Sequence, residues 1–307
     1  MSIRHPVRIG FGARKGGEGK TFGAANVAGE LASKGYKVLV VVCDQQDDLS
    51  RMYLLDQEDG KRIYDHDTAV SLSDVLSGNA NVRDAIYTTR EYPLYEWDYN
   101  EDGSPVIDPN NGRRKRTFKR GETVNFDIVP AGMDIYNIDV FFKEDENGEL
   151  VPYYDIFDDK FAEVLPEYDF VIFDIPPSDQ DISMIAYASS DYLLTPYDMS
   201  GTDSMPSVQM MVTTVDELNS IPEITHPIAF MIYMNRFRPK RPMDMSNMEI
   251  IMDEFDGNVF KTPIRESMEA KYAKADGCPL SCYKKCDVGE DVAYVVDELL
   301  ERVKEDK

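Results

Sequence analysis

The run Lys15-Gly16-Gly17-Glu18-Gly19-Lys20-Thr21 constrains this chain more than any other stretch. Its glycines permit positive φ and the close backbone approach that a loop wrapped around an anion needs. The flanks fix the setting. Upstream, Val7, Ile9 and Phe11 alternate with Arg8, Gly10 and Gly12 as in a strand; downstream, Ala24, Val27, Ala28 and Leu31 repeat at helical spacing until Gly35. A strand, a glycine loop and a helix in that order bring backbone N–H groups and the positive end of a helix dipole to a phosphate. Lys20 then reaches the β- and γ-phosphates and the Thr21 hydroxyl coordinates Mg²⁺. The nucleotide contacts are expected from Lys15, Gly16, Gly17, Glu18, Gly19, Lys20, Thr21 and Phe22. Lys15 has no such role within one chain, because a second buried ammonium beside Lys20 would be repelled; its useful direction is outward.

Further apolar runs extend the pattern. Val38 to Cys43, Phe170 to Phe173, Tyr192 to Thr195 and Ile228 to Tyr233 read with Val7 to Phe11 as strands of a buried parallel sheet, and Phe126 and Ile128 suggest another. Strands alternating with helical stretches predict an α/β fold, a mostly parallel twisted sheet flanked by helices, with ligands at the carboxyl ends of the strands. Asp44, Asp174 and Asn235 end three of these runs. Asp44 is placed to orient a water for attack on a γ-phosphate.

With 307 residues and 42% hydrophobic content, one large domain (1–307) is expected, carrying a hairpin-like insertion at about 90–123. The insertion is polar and aromatic, with turn signals at Asn100-Glu101-Asp102-Gly103 and Pro109-Asn110-Asn111-Gly112. Within it, Arg113 to Arg120 holds six positive charges in eight residues, which suits either a solvated hairpin offsetting acidic neighbours or a contact to phosphates or an acidic partner. The formal charge of −24, from 33 basic and 57 acidic residues, argues against a generic nucleic-acid binder, so any DNA contact must be local. The longest strongly apolar run is too short to span a bilayer and the first residues lead almost directly into a strand, so neither a membrane span nor a signal peptide is expected. The terminal stripe Val292, Val295, Val296, Leu299, Leu300 and Val303 reads as core packing, because its polar face is acidic where a membrane-binding helix carries basic residues. Cys278, Cys282 and Cys286 have the spacing C-x₃-C-x₃-C, but no nearby histidine completes a zinc pattern; with Cys43 they are taken as ordinary cysteines.

The K-G-G-x-G-K-T run resembles the deviant Walker A signature of the ParA/MinD superfamily of P-loop NTPases, nearest to the ParA/Soj-type partition ATPases. The resemblance implies that Lys15 crosses a dimer interface to the partner's nucleotide. Asp44-Gln45-Gln46 resembles the superfamily's A′ motif, D-x-D-P-Q, with Val42 in place of the first aspartate and Gln45 in place of the proline; Asp44 matches the aspartate used for hydrolysis. Tyr168 to Ser178 resembles the Walker B strand and switch segment, which gives Asp174, with Thr21 and Asp44, to the Mg²⁺ shell. Asn235-Arg236 resembles the adenine-recognition position, and Thr262 to Ser267 with 273–283 resembles the tail of partition ATPases. By the same resemblance Arg236, Arg238, Lys240, Arg241 and Arg265 are candidates for nonspecific DNA contact.

These readings lead to a cytoplasmic, slow, partner-stimulated ATPase using ATP and Mg²⁺. It would form an ATP-dependent sandwich homodimer, associate with the nucleoid, and move a plasmid, chromosome region or mobile element with a ParB-like adaptor. Sequence-specific autorepression is not expected, because no separate DNA-binding segment precedes the loop. Two alternatives stand beside this reading: a MinD-like membrane-associated positioning ATPase, and a metabolic or redox enzyme on the same nucleotide core. An iron–sulfur relative would carry its cluster cysteines in the middle of the chain, and none occurs between Cys43 and Cys278.

Overall fold

The alternation at Val7–Phe11 becomes β1, an interior strand of the sheet in the computed structural model, which describes residues 5–54, 69–109, 112–201, 204–283 and 287–305. Asn110, Asn111 and Cys286 lie outside the described residues. In chain order the strands are β1, β2 (Val38–Val42), β3 (Tyr87–Thr88), β4 (Tyr92–Trp97), β5 (Ile107–Asp108), β6 (Arg113–Arg114) and β7 (Arg116–Val124). They continue with β8 (Asp127–Val129), β9 (Phe142–Glu144), β10 (Leu150–Pro152), β11 (Phe170–Asp174), β12 (Tyr192–Asp198) and β13 (Ala229–Asn235). The helices are α1 (Lys20–Ser33), α2 (Asp48–Tyr53), α3 (Leu72–Leu76), α4 (Ile156–Phe161), α5 (Asp181–Ala188), α6 (Ser204–Asn219), α7 (Pro242–Glu254), α8 (Met268–Ala275) and α9 (Asp287–Glu305).

The main sheet runs β13-β12-β1-β11-β2-β8-β3, parallel throughout except for the antiparallel β3. From β1 the chain moves to β2 on one side and later returns to β12 and β13 on the other. That reversal opens a crevice at the carboxyl end of β1, where open α/β sheets take ligands. Register puts Phe11, Val42 and Asp174 level there.

β12 runs past the expected Thr195 to Asp198, through Pro196. Pairing with β1 ends at Leu194, so Pro196 has only β13 beside it and the missing N–H leaves no partner unsatisfied. β13 likewise runs on to Asn235, so the polar residue ending the apolar run is still in the ladder. Helix α1 lies tightly over the sheet: a Cβ on Gly23 would sit 2.8 Å from Phe11 and 2.5 Å from the Tyr233 hydroxyl. The terminal stripe is buried at Val288, Val292, Val295, Val296, Leu299 and Val303 in α9, each aliphatic side chain of this kind contributing about 1.5–3 kcal/mol.

In the insertion, β4 and β7 pair antiparallel with an irregularity between Pro93 and Tyr95, and β5 pairs with β6. Much of the basic run is spent on the chain itself. The Arg114 side chain is fully buried, 5.0 Å over Trp97, 4.8 Å over Tyr99 and 5.0 Å over Tyr294, with Nη1 2.8 Å from Asp297. Arg113 pairs with Asp287, and Arg116 donates to the carbonyls of Ser281 and Tyr283 at 3.1 and 2.6 Å. Under this cage Glu30 is fully buried, accepting from Trp97 Nε1 at 3.3 Å with Lys34 Nζ 3.4 Å away.

Candidate nucleotide site

The glycine loop leaves β1 at the sheet's switch point and turns into α1 at Gly19, whose φ of 116° suits glycine; Gly17 has φ 80°. A Cβ on Gly19 would meet the Asn235 amide at 2.1 Å. That contact belongs to a clamp on three successive loop carbonyls. Arg236 Nη2 donates to Gly17 O, Asn235 Nδ2 to Glu18 O at 2.8 Å, and Tyr233 Oη to Gly19 O at 2.9 Å. All three donors come from the end of β13 or the residue after it. Carbonyls held toward β13 hold the loop's peptide planes and so aim its N–H groups before any anion arrives.

Lys20, the first residue of α1, is 6% exposed. Burial lowers its pKa, opposed by the carboxylates of Asp174, Asp44 and Glu18. Thr21 Oγ1 donates to Asp174 Oδ1 at 3.2 Å. Asp174, 2% exposed at the end of β11, has its carboxyl pushed up to about 7 by burial, with Thr21 and Lys20 pulling the other way. Lys15 lies exposed on the shoulder of the loop, so the two lysines of the run occupy different environments.

Asp44 follows β2 and is half-buried; its Oδ1 accepts from Gln46 N at 2.9 Å and from Tyr136 Oη at 3.1 Å. On the other side of the loop, Arg14 pairs with Asp179 and donates to Thr214 Oγ1 at 2.6 Å, tying the loop's start to the segment after Asp174 and to α6. Arg14, Tyr136 and Tyr233 were not singled out from sequence. Tyr136 sits in an irregular stretch with no periodic signal, and Tyr233 reads only as a buried strand residue.

The basic residues after β13 are interleaved with carboxylates. Arg236 (φ 59°) pairs with Asp198 at 2.7 Å, Arg238 Nε lies 3.0 Å from the buried Asp244, and Arg241 lies 3.6 Å from the same group. Arg265 is brought beside Phe237 by a parallel bridge, but its guanidinium takes Asp291 at 2.7 Å. Lys240 is exposed. Cys43, Cys278 and Cys282 are buried, and among the described residues no group of three or more His, Cys, Asp or Glu is placed to hold a metal ion. Among the described residues no helix is long and apolar enough to cross a membrane.

The model of the AAA domain family matches residues 7–97 and 105–225, which include the loop, Asp44 and Asp174. The chain belongs to that family, within the ParA/MinD superfamily. Two curated relatives agree: the cell division protein PomZ of Myxococcus xanthus is 22% identical over 98% of this chain and 81% of its own length. The chromosome-partitioning ATPase Soj of Treponema pallidum is 22% identical over 89% and 88%. Among solved structures, the ATP complex of Cyanothece McdA superposes with a TM-score of 0.68 at 18% identity, covering 96% of each chain. Cobyrinic acid a,c-diamide synthase of Mycobacterium smegmatis with ADP and magnesium gives 0.65 at 17% identity, covering 98% and 97%. At such identities the superpositions establish the shared fold.

Membership gives meaning to the altered A′ segment of this ParA/MinD chain. Gln45, where the superfamily has proline, donates its backbone N–H to Tyr136 Oη at 3.2 Å, a bond that proline cannot make. Val42, where the superfamily has its first aspartate, is fully buried as the last residue of β2, a position where a carboxylate would need a partner.

Proposed function

We propose that the chain is a ParA-type partition or positioning ATPase. It binds MgATP in the β1 crevice, closes into a sandwich dimer with Lys15 of each subunit reaching its partner's nucleotide, and hydrolyses ATP to reset the cycle. The observation that carries this reading is the separation of the two lysines: Lys20 is buried against Asp174, and Lys15 is exposed at the loop's shoulder.

The donors present fit a magnesium nucleotide. The clamped loop presents N–H groups for the phosphates, Lys20 would meet them, and Asp174 is a carboxyl whose pKa is raised by burial, so that its anion would gain from an added cation. Thr21, Asp174 and Asp44 would hold the ion, which when bound supplies positive charge against the β- and γ-phosphate oxygens. Asp44, steadied by Tyr136 and Gln46, orients the attacking water. Lys20 and the partner's signature lysine stabilise the charge that develops as the terminal phosphoryl group leaves. Asn235, expected at the adenine, would serve from the strand that also fixes the loop.

The dimer, working with a ParB-like adaptor, acts on nonspecific duplex DNA through the surface around Arg236, Arg238, Lys240, Arg241 and Arg265. The partition relatives support this output. The carboxylates threaded through the patch make DNA contact depend on pairing across two subunits and on low salt.

Light scattering after size exclusion tests the dimer. Wild type with MgATP should run at twice the monomer mass, Lys15→Ala should stay monomeric, and Asp44→Ala should persist as an ATP-bound dimer. A monomeric Asp44→Ala protein with MgATP contradicts its assignment. DNA co-sedimentation by wild type with MgATP at low salt tests the output, and no affinity there removes DNA from the cycle. Turnover that requires a small co-substrate would instead identify a metabolic enzyme.

A further inference from the structure

Glu18 is an odd residue for its place. It stands between two positive-φ glycines of a loop whose purpose is to attract anions, and its side chain is 2% exposed. One oxygen, Oε2, accepts from Ser207 Oγ of α6 at 2.9 Å; the other, Oε1, is buried with no hydrogen-bond partner among the described residues. The backbone that carries this carboxylate is fixed, because its own carbonyl is held by Asn235 and its neighbours' carbonyls by Arg236 and Tyr233.

We propose that Glu18 is a specificity-determining residue that makes nucleotide binding proton-linked: the loop takes up a proton on Glu18 as it takes in the polyphosphate. The inference rests on the nucleotide-binding part of the proposed function.

The groups facing Glu18 decide the balance. Its own loop offers Lys15 and Lys20, α6 offers the hydroxyls of Ser204 and Ser207, and the end of β13 offers the Tyr233 phenol and the Arg236 guanidinium. Asp174 on β11 and Asp44 after β2 compete for Lys20. Burial already favours the neutral carboxyl, with Ser207 and the two lysines opposing. An arriving polyphosphate draws on Lys20 and adds negative charge nearby. A buried anion with an orphaned oxygen then becomes far more costly than a buried neutral acid. The step is a simple transfer: a proton leaves solvent or buffer and forms an O–H bond on the Glu18 carboxylate, with no change in oxidation state. The linkage sign follows. The complex holds the proton more tightly than the empty protein, so nucleotide affinity is highest at low pH and falls as pH rises through Glu18's titration.

Titration calorimetry with ADP, in two buffers of different ionisation enthalpy and from pH 5.5 to 8.5, reads this directly. Wild type should take up protons on binding beyond those taken up by Glu18→Gln, whose amide mimics the neutral acid and keeps an acceptor for Ser207. Glu18→Gln should bind ADP more tightly at pH 8, by about tenfold for each unit by which the nucleotide raises the Glu18 pKa, and the two should converge at low pH. Ser207→Ala removes a donor that favours the anion, so it should move the midpoint of proton uptake to higher pH without abolishing it. Equal proton uptake and parallel affinity profiles for wild type and Glu18→Gln, both folded by circular dichroism, overturn the inference and leave the proposed function standing. Failure of both to bind ADP at any pH overturns the two together.

Discussion

The phosphate loop and the basic run of the insertion are both dense clusters of positive charge in the sequence, and the fold uses them in opposite ways. In the insertion, Arg113, Arg114 and Arg116 are engaged by Asp287, Asp297, aromatic rings and main-chain carbonyls, so their charge is used in holding two parts of the chain together. At the loop, glycines and a carbonyl clamp keep the backbone donors oriented while Lys20 waits among carboxylates. A positive cluster marks a site where backbone geometry keeps its donors aimed at the ligand, and marks a staple where long side chains can reach the chain's own acids.

Substitutions should separate the two. The largest effect is expected for Arg114→Ala, which leaves Asp297 short of a partner and the Trp97, Tyr99 and Tyr294 rings uncovered; urea unfolding should show a loss of about 3–4 kcal/mol. Its affinity for ADP should stay within about twofold of wild type, and a much larger loss would erase the contrast. Lys20→Ala should do the reverse, weakening MgATP about a hundredfold by fluorescence titration with little change in the unfolding midpoint.

Next comes a pH effect. Asp174 has a folded pKa of about 7, above its unfolded value, so the nucleotide-free protein binds the extra proton between about pH 4 and 7. Its contribution is therefore fully present at low pH and lost as pH rises through 7. Asp174→Asn should flatten the stability profile over that window by on the order of 2 kcal/mol, measured by urea unfolding without metal or nucleotide. The smallest change is expected for Asn235→Ala, which frees one loop carbonyl; ADP affinity should fall about tenfold, and an unchanged affinity would show that Tyr233 and Arg236 hold the loop alone.

The sheet and the loop were legible because their signals are local. Glycine spacing, alternation before it and helical spacing after it lie within about thirty residues, and the strand-ending carboxylates Asp44 and Asp174 follow directly from where apolar runs stop. The clamp was not, because Tyr233, Asn235 and Arg236 meet Gly17 to Gly19 only after two hundred residues of chain have folded between them. The basic run left two readings open for the same reason: Asp287 and Asp297, which answer Arg113 and Arg114, lie in α9, and nothing near residues 113–120 points there. Tyr136 gave no sign at all, since a hydroxyl that steadies Asp44 from an irregular segment has neither period nor motif. The positive patch around Arg238 and Arg265 shows the reverse problem, in which adjacent arginines are visible and the carboxylates that answer them, Asp244 and Asp291, are not.

Helix α1 joins the two regions compared above. It begins with Lys20 and Thr21 at the glycine loop, and ten residues along, about 15 Å away, it carries Glu30 beneath the Trp97–Arg114 cage, with Lys34 just past its end. The insertion is therefore mounted on the far end of the same rod that bears Lys20. A protein gripping the hairpin would hold a lever whose other end rests at the glycine loop, and no intervening loop would absorb the push.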